Sequence, residues 1–374
     1  MNTKLISGIG VCLAMSFLYA TSLQADWTFV MMGDTKGDRD KTHTGVSEEL
    51  PIIAQKIASL NPSLVMVCGD LINGDEVPDT NLTYAAQYAD WKTAMSPVFN
   101  YNSNTGIPIY TVRGNHDNNS SEGPPIDGIK QAYYDAFSAY VPANGPNYGL
   151  TNNQVGFSYS FTTNNLTFVA ADQYFYYSAT DPTGYHELDQ AWVNQQFQQS
   201  SSPYKIFMAH VPFFQTGNSG EGEHFFDESA EGFTTRSNFW NALGTNGVQL
   251  YLTGHVHSQI VASVTNDYGN TLIQLIQGNG GAPMDGGITN NPEAGVNVLY
   301  TNGFYGFSLA TVTDTNMTIQ YYLLNTNDNS WSVADYVTSI SPNTQDVPEA
   351  SSAVLIAPAL AVWMAGRFRK RRRN

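Results

Sequence analysis

Short apolar runs separated by polar stretches divide the chain into alternating strand and helix signals. Trp27–Met32, Leu64–Cys68, Ile107–Val112, Lys205–Ala209 and Val248–Leu252 are compact apolar runs of strand length. Between them, 47–60, 84–98, 128–140, 187–199 and 236–244 carry helical spacing, with Ser47 placed to cap the first. Residues 156–161 and 166–171 read as a hairpin around Asn164-Asn165, and 258–338 is strand-rich, with Gly and Asn turns and little helix. Early β-α-β alternation followed by a β-rich half implies a mixed sheet flanked by helices and packed on a second sheet. No internal repeat and no second globular domain interrupts this pattern.

The ends of the five strands carry the candidate chemistry. They run into Gly33-Asp34, Gly69-Asp70, Arg113-Gly114-Asn115-His116-Asp117, His210 and Gly254-His255-Val256-His257. Ligands of open α/β sheets bind at the carboxyl ends of strands. Carboxylate, amide and imidazole together suit Fe, Mn or Zn, and are too rich in nitrogen for Ca or Mg. A carboxylate such as Asp70 can bridge two ions, a standard device for in-line attack on phosphorus.

Both ends read as export signals rather than as fold. Lys4, the apolar run Leu5–Ala20 and Ala25 before Asp26 form a secretory signal peptide over residues 1–25. The segment 341–374 holds Pro348-Glu349, an apolar stretch to Gly366 and the basic cluster Arg367–Arg373. That order resembles the PEP-CTERM sorting signal of Gram-negative bacteria. The resemblance implies processing by an exosortase-type enzyme, transient membrane contact, and delivery to the periplasm, cell surface or extracellular matrix. A plain tail anchor has the same physics: about 17 apolar residues nearly cross a bilayer, and the basic end stays inside. The body thus spans 26–340.

Composition sharpens the need for a cation. The chain has 16 Lys and Arg against 32 Asp and Glu; removing 1–25 and 347–374 takes away seven of the bases and one of the acids, leaving about −22. Such a body repels nucleic acid and anionic membranes, which sets them aside as its partners. It also repels a phosphate ester unless bound metal reverses the local field. Past the signal peptide Cys68 stands alone, so no intrachain disulfide is expected.

The order Gly-Asp, Gly-Asp, Gly-Asn-His-Asp, His, Gly-His-x-His over residues 33–257 resembles the calcineurin-like metallophosphoesterases. The β-rich end, with Gly278-Asn279-Gly280-Gly281, is similar to their acid-phosphatase branch. The resemblance implies an α/β fold: a four-layer αββα sandwich of two mixed β-sheets flanked by helices. It also implies a small phosphorylated substrate, monoester first and diester as the close variant, and two transition metal ions. One ion would take Asp70, Asn115, His210 and His255; the other would take Asp34, Asp70 and His257. His116 would protonate the leaving oxygen, and Asp117 would orient its ring. Where the family has a second ligand two residues after the first Asp, this chain has Lys36; where purple acid phosphatases have Tyr, it has Asn73. Lys36 and Arg113 then stand as phosphate contacts or loop and ion-pair residues, and Asn73 as a weak ligand, with His43 or Asp38 able to fold in. His186 and His224 are read as non-catalytic. The alternative is a degenerate, non-catalytic phosphate- or matrix-binding protein of the cell envelope.

Overall fold

The computed structural model describes residues 26–38, 44–74, 82–118, 127–147, 153–174, 188–217, 232–285 and 291–343. Residues 1–25 and 344–374 of the two export segments, and His43, His186 and His224, lie outside them. In chain order the strands are β1 Trp27–Met32, β2 Leu64–Val67, β3 Phe99–Asn100, β4 Thr105–Gly106, β5 Ile109–Thr111, β6 Tyr159–Thr163, β7 Leu166–Ala170, β8 Tyr204–Met208, β9 Leu250–Thr253, β10 Gln259–Thr265, β11 Thr271–Gln277, β12 Val296–Asn302, β13 Tyr305–Val312, β14 Met317–Asn325 and β15 Ser330–Ile340. The helices are α1 Leu50–Leu60, α2 Tyr84–Ala94, α3 Asp127–Phe137, α4 Gln190–Gln199 and α5 Gly232–Thr245.

Two large sheets form, of strand order β15-β14-β13-β1-β2-β5 and β12-β10-β11-β9-β8-β7-β6. The β1-β2-β5 run is parallel, as is β7-β8-β9-β11. Strands of this kind are buried on both faces, which is why they read as unbroken apolar runs. Alternation nevertheless sorts their side chains. In β1, Phe29 and Met31 face the second sheet, while Val30 and Met32 join the core under α1, α2 and α3. In β9, Leu250 and Leu252 face the first sheet, while Tyr251 joins the core under α4 and α5. Three apolar cores between four layers follow from this sorting, and the expected αββα sandwich is the observed fold.

Several boundaries shift. Helix α1 starts at Leu50, with Pro51 in its first turn, and its cap residue Glu49 makes no side-chain cap bond. Ser47 lies outside the helix: its hydroxyl accepts from the Glu49 amide at 3.0 Å and donates to the Glu49 carboxylate at 2.6 Å. Helix α2 ends at Ala94 and β5 begins only after Pro108, whose nitrogen cannot donate to a ladder. The hairpin strand begins at Tyr159, because Phe157 and Ser158 turn back to the Gln154 carbonyl.

Candidate active site

Parallel β1, β2 and β5 of one sheet and β8 and β9 of the other end on the same side, so the five polar segments meet across the gap between the sheets. The Asp34 carboxylate crosses to accept from the His255 amide, at 3.0 Å to each oxygen. Its Oδ1 lies 3.7 Å from His257 Nε2. Asp70 Oδ1 accepts from the His116 amide at 3.0 Å and lies 3.3 Å from His210 Nε2. Asn115 Oδ1 is 3.0 Å from His210 Nε2 and 2.9 Å from His255 Nδ1. All six expected ligands are therefore brought together.

Backbone conformation is spent on this arrangement. Asp34, Asp70 and His255 adopt left-handed φ values of 54°, 51° and 72°, each costing on the order of 1–3 kcal/mol in a non-glycine residue. The Asp70 carbonyl, which accepts from the amides of Thr35 and Lys36, holds the first two turns together. Two motif glycines have a steric role. A Cβ at Gly114 would fall on the Asp70 carboxylate, and one at Gly254 on that of Asp34. Each motif leaves out a side chain where another motif's ligand passes.

Carbonyl partners settle the imidazole tautomers, because a carbonyl only accepts. His210 Nδ1 donates to the Cys68 carbonyl at 2.8 Å, and His257 Nδ1 to the Pro283 carbonyl at 2.9 Å. Both therefore turn an Nε2 lone pair toward the carboxylates. Burial pushes each imidazole down to about 3, and the Lys36 charge adds to it. They are thus neutral across the ordinary pH range, the form a metal requires. The His210 lone pair, Asp70 Oδ1 and Asn115 Oδ1 then face one another as electron-rich atoms within hydrogen-bonding range. Ligand atoms of Asp34, Asp70 and His210 all lie within 4.8 Å of one another, and all three residues are buried. A cation reconciles this convergence, so the residues present fit a bound metal ion. The buried Asn73 amide strengthens the fit, since neither its oxygen nor its nitrogen has a hydrogen-bond partner among the described residues.

One expectation changes, and two open readings gain a structural context. Asp117 does not orient His116: its carboxylate accepts from the amides of Gly114 and Leu71 and from the Tyr88 hydroxyl. Burial, with the Asp70 charge nearby, lifts it to about 7, and it serves to hold the Gly114–Asp117 turn. The His116 ring is held instead by the Asn73 carbonyl, 3.3 Å from Nδ1. Arg113 is withdrawn from any phosphate: its Nε donates to Asp172 at 2.9 Å and its Nη1 to Asn118 at 3.1 Å, all in the interior. Lys36 is no loop lysine. It is 7% exposed, and its ammonium donates to His116 Nε2 at 2.7 Å. Burial, and then the Lys36 charge, hold His116 well below the usual imidazole range.

Two supporting residues were not anticipated. Gln173 Oε1 accepts from the amides of His210 and Val211 at 2.7 and 2.6 Å. It follows β7, so the strand-end rule applied to that strand would have found it. Asp285 accepts from the His257 amide at 2.7 Å; it lies in an aperiodic Gly-rich segment that marks no position.

A model of the calcineurin-like phosphoesterase family matches residues 28–259. Among solved structures, a purple acid phosphatase from seeds of yellow lupin (Lupinus luteus) is similar with a TM-score of 0.61 at 17% identity, over 85% of this chain and 54% of its own. The chain thus spans about half the length of that enzyme. PhoD is similar at 0.57 and 13% identity, over 87% of this chain and 73% of its own. GAP50, the anchor in the inner membrane complex of Plasmodium, reaches 0.50 at 13% identity, over 86% and 91%. No curated protein sequence matches the chain.

Proposed function

The chain belongs to the calcineurin-like phosphoesterase family, and from that membership we propose that it is an exported metallophosphoesterase acting on phosphate esters, monoesters before diesters. The observation that carries the reading is the convergence of neutral His210 and His257, Asp34, Asp70, Asn115 and His255 at the joined strand ends. Asp70, Asn115, His210 and His255 would hold one ion, and Asp34, Asp70 and His257 form the second donor set. When bound, a transition metal ion such as Fe, Mn or Zn polarises the phosphoryl oxygens and readies water as a nucleophile at neutral pH. His116 stands at the leaving-group side; its ring is neutral with Nε2 accepting from Lys36, so it would serve as the proton donor once substrate draws the Lys36 ammonium away and Nε2 takes up a proton. Lys36 presents a fixed cation to the phosphoryl group, which the acidic body would otherwise repel.

Hydrolysis of p-nitrophenyl phosphate by the full-length protein should fall and return with metal content, through exhaustive chelation and readdition of Mn²⁺ or Zn²⁺. An undiminished rate in the stripped protein would sink the metal mechanism. A second, non-catalytic reading is favoured by Lys36 standing where the family has a ligand, and by the use of this fold in the anchor GAP50. Metal-loaded protein that binds inorganic phosphate but turns over no ester would support it.

Export rests on the two end segments. The mature extracellular protein should begin near Asp26 and lack the basic cluster. Mass spectrometry finding residues 367–374 on that protein would refute processing and leave a simple anchor.

A further inference from the structure

The Lys36 ammonium has an uncommon setting. Its amide is tied to the Asp70 carbonyl at 3.0 Å, and its backbone bridges to Val46, so the backbone that carries the side chain is fixed at the site. Among the described residues the ammonium has one polar partner, the neutral ring of His116, and no carboxylate at ion-pair distance. An ammonium has three donors, and burying it without an anion is costly. Two N–H bonds are therefore left without a partner among the described residues, open to an anionic group. A cation fixed there repels a second cation placed beside it.

The two donor sets are unequal in this respect. Asp70, Asn115, His210 and His255 form a four-residue set around the His210 lone pair. The set of Asp34, Asp70 and His257 has three members, one of them shared. Its Asp34 carboxylate is already engaged by the His255 amide through both oxygens.

We propose that Lys36 supplies the second positive charge of this centre: the protein holds one transition metal ion, on Asp70, Asn115, His210 and His255, and the phosphoryl group of the ester lies between that ion and the Lys36 ammonium. This rests on the metallophosphoesterase reading. It also gives the two spare N–H bonds an anion, and it explains why a further ligand at position 36 is dispensable beside Asp34, Asp70 and His257.

Counting ions tests it. Metal-stripped full-length wild type, Lys36→Gln, Lys36→His and Lys36→Arg are titrated with Mn²⁺ and, separately, Zn²⁺, and bound ions are measured by mass spectrometry after gel filtration. Wild type and Lys36→Arg should saturate at one ion per chain, Lys36→His at two, and Lys36→Gln should bind a second ion at least tenfold more tightly than wild type. With one ion bound, Lys36→Gln should lose kcat/KM about ten- to a hundredfold, the worth of a charge-assisted hydrogen bond. Two ions of similar affinity in wild type would overturn the proposal while leaving the metal-dependent reading intact. One ion in every variant would remove Lys36 as the cause and overturn it too. Failure of all four to bind any ion would overturn the metal reading itself. If a variant does not fold, the wild-type count still decides.

Discussion

His116→Ala is expected to slow hydrolysis of esters with poor leaving groups by about 10²–10⁴-fold while costing aryl phosphates much less. The expectation follows from placement. The His116 amide is fixed to Asp70 Oδ1 and its ring to the Asn73 carbonyl, so the side chain is held over the ligand cluster without belonging to it. At 12% exposure, the side chain reaches the accessible side of the site, where a leaving alkoxide would emerge. An alkoxide needs a proton in the transition state; a phenolate leaves well without one, and the difference between the two substrates isolates proton transfer. Metal content should be unchanged. An equal loss for both substrates would mean instead that His116 acts by holding Lys36, whose ammonium donates to it. Loss of metal would make it a ligand.

Arg113→Met is expected to destabilise the fold by about 3–5 kcal/mol, because it strands a carboxylate in the interior. Arg113 and Asp172 are both 1% exposed, with Nη2 2.8 Å and Nε 2.9 Å from Asp172 Oδ2. The guanidinium carbon lies 5.0 Å from the centroid of the Phe157 ring, and Nη1 donates to Asn118 at the end of the Gly114–Asp117 turn. Removing the cation alone leaves the Asp172 charge with only the Tyr174 amide, 2.9 Å from Oδ1, whereas Arg113→Met combined with Asp172→Leu should recover most of the loss. Denaturant unfolding of the two single variants and the double variant gives the coupling. A stable Arg113→Met protein with a raised KM would restore the phosphate contact that the sequence left open.

The contrast between these residues shows which information is local. The convergence of Asp34, Asp70, Asn115, His210, His255 and His257 was legible because each follows an apolar run buried on both faces. Such runs are parallel strands, and parallel neighbours end on one side. The four-layer fold was legible for a related reason: alternation within each strand assigns its residues to the core above or below. Side-chain direction is different, since it depends on what the other sheet brings opposite. Asp117 follows His116 in the chain yet bonds Leu71 and Tyr88. Arg113 stands beside Gly114-Asn115 yet is claimed by Asp172, 59 residues away. Lys36 reads equally as a loop lysine or a phosphate contact until the fold aims its ammonium at His116, 80 positions later. Periodicity records which face of an element is buried. Only the packing of the two sheets decides which charge meets which, because a buried ion's partner is set by distance through the core and not along the chain.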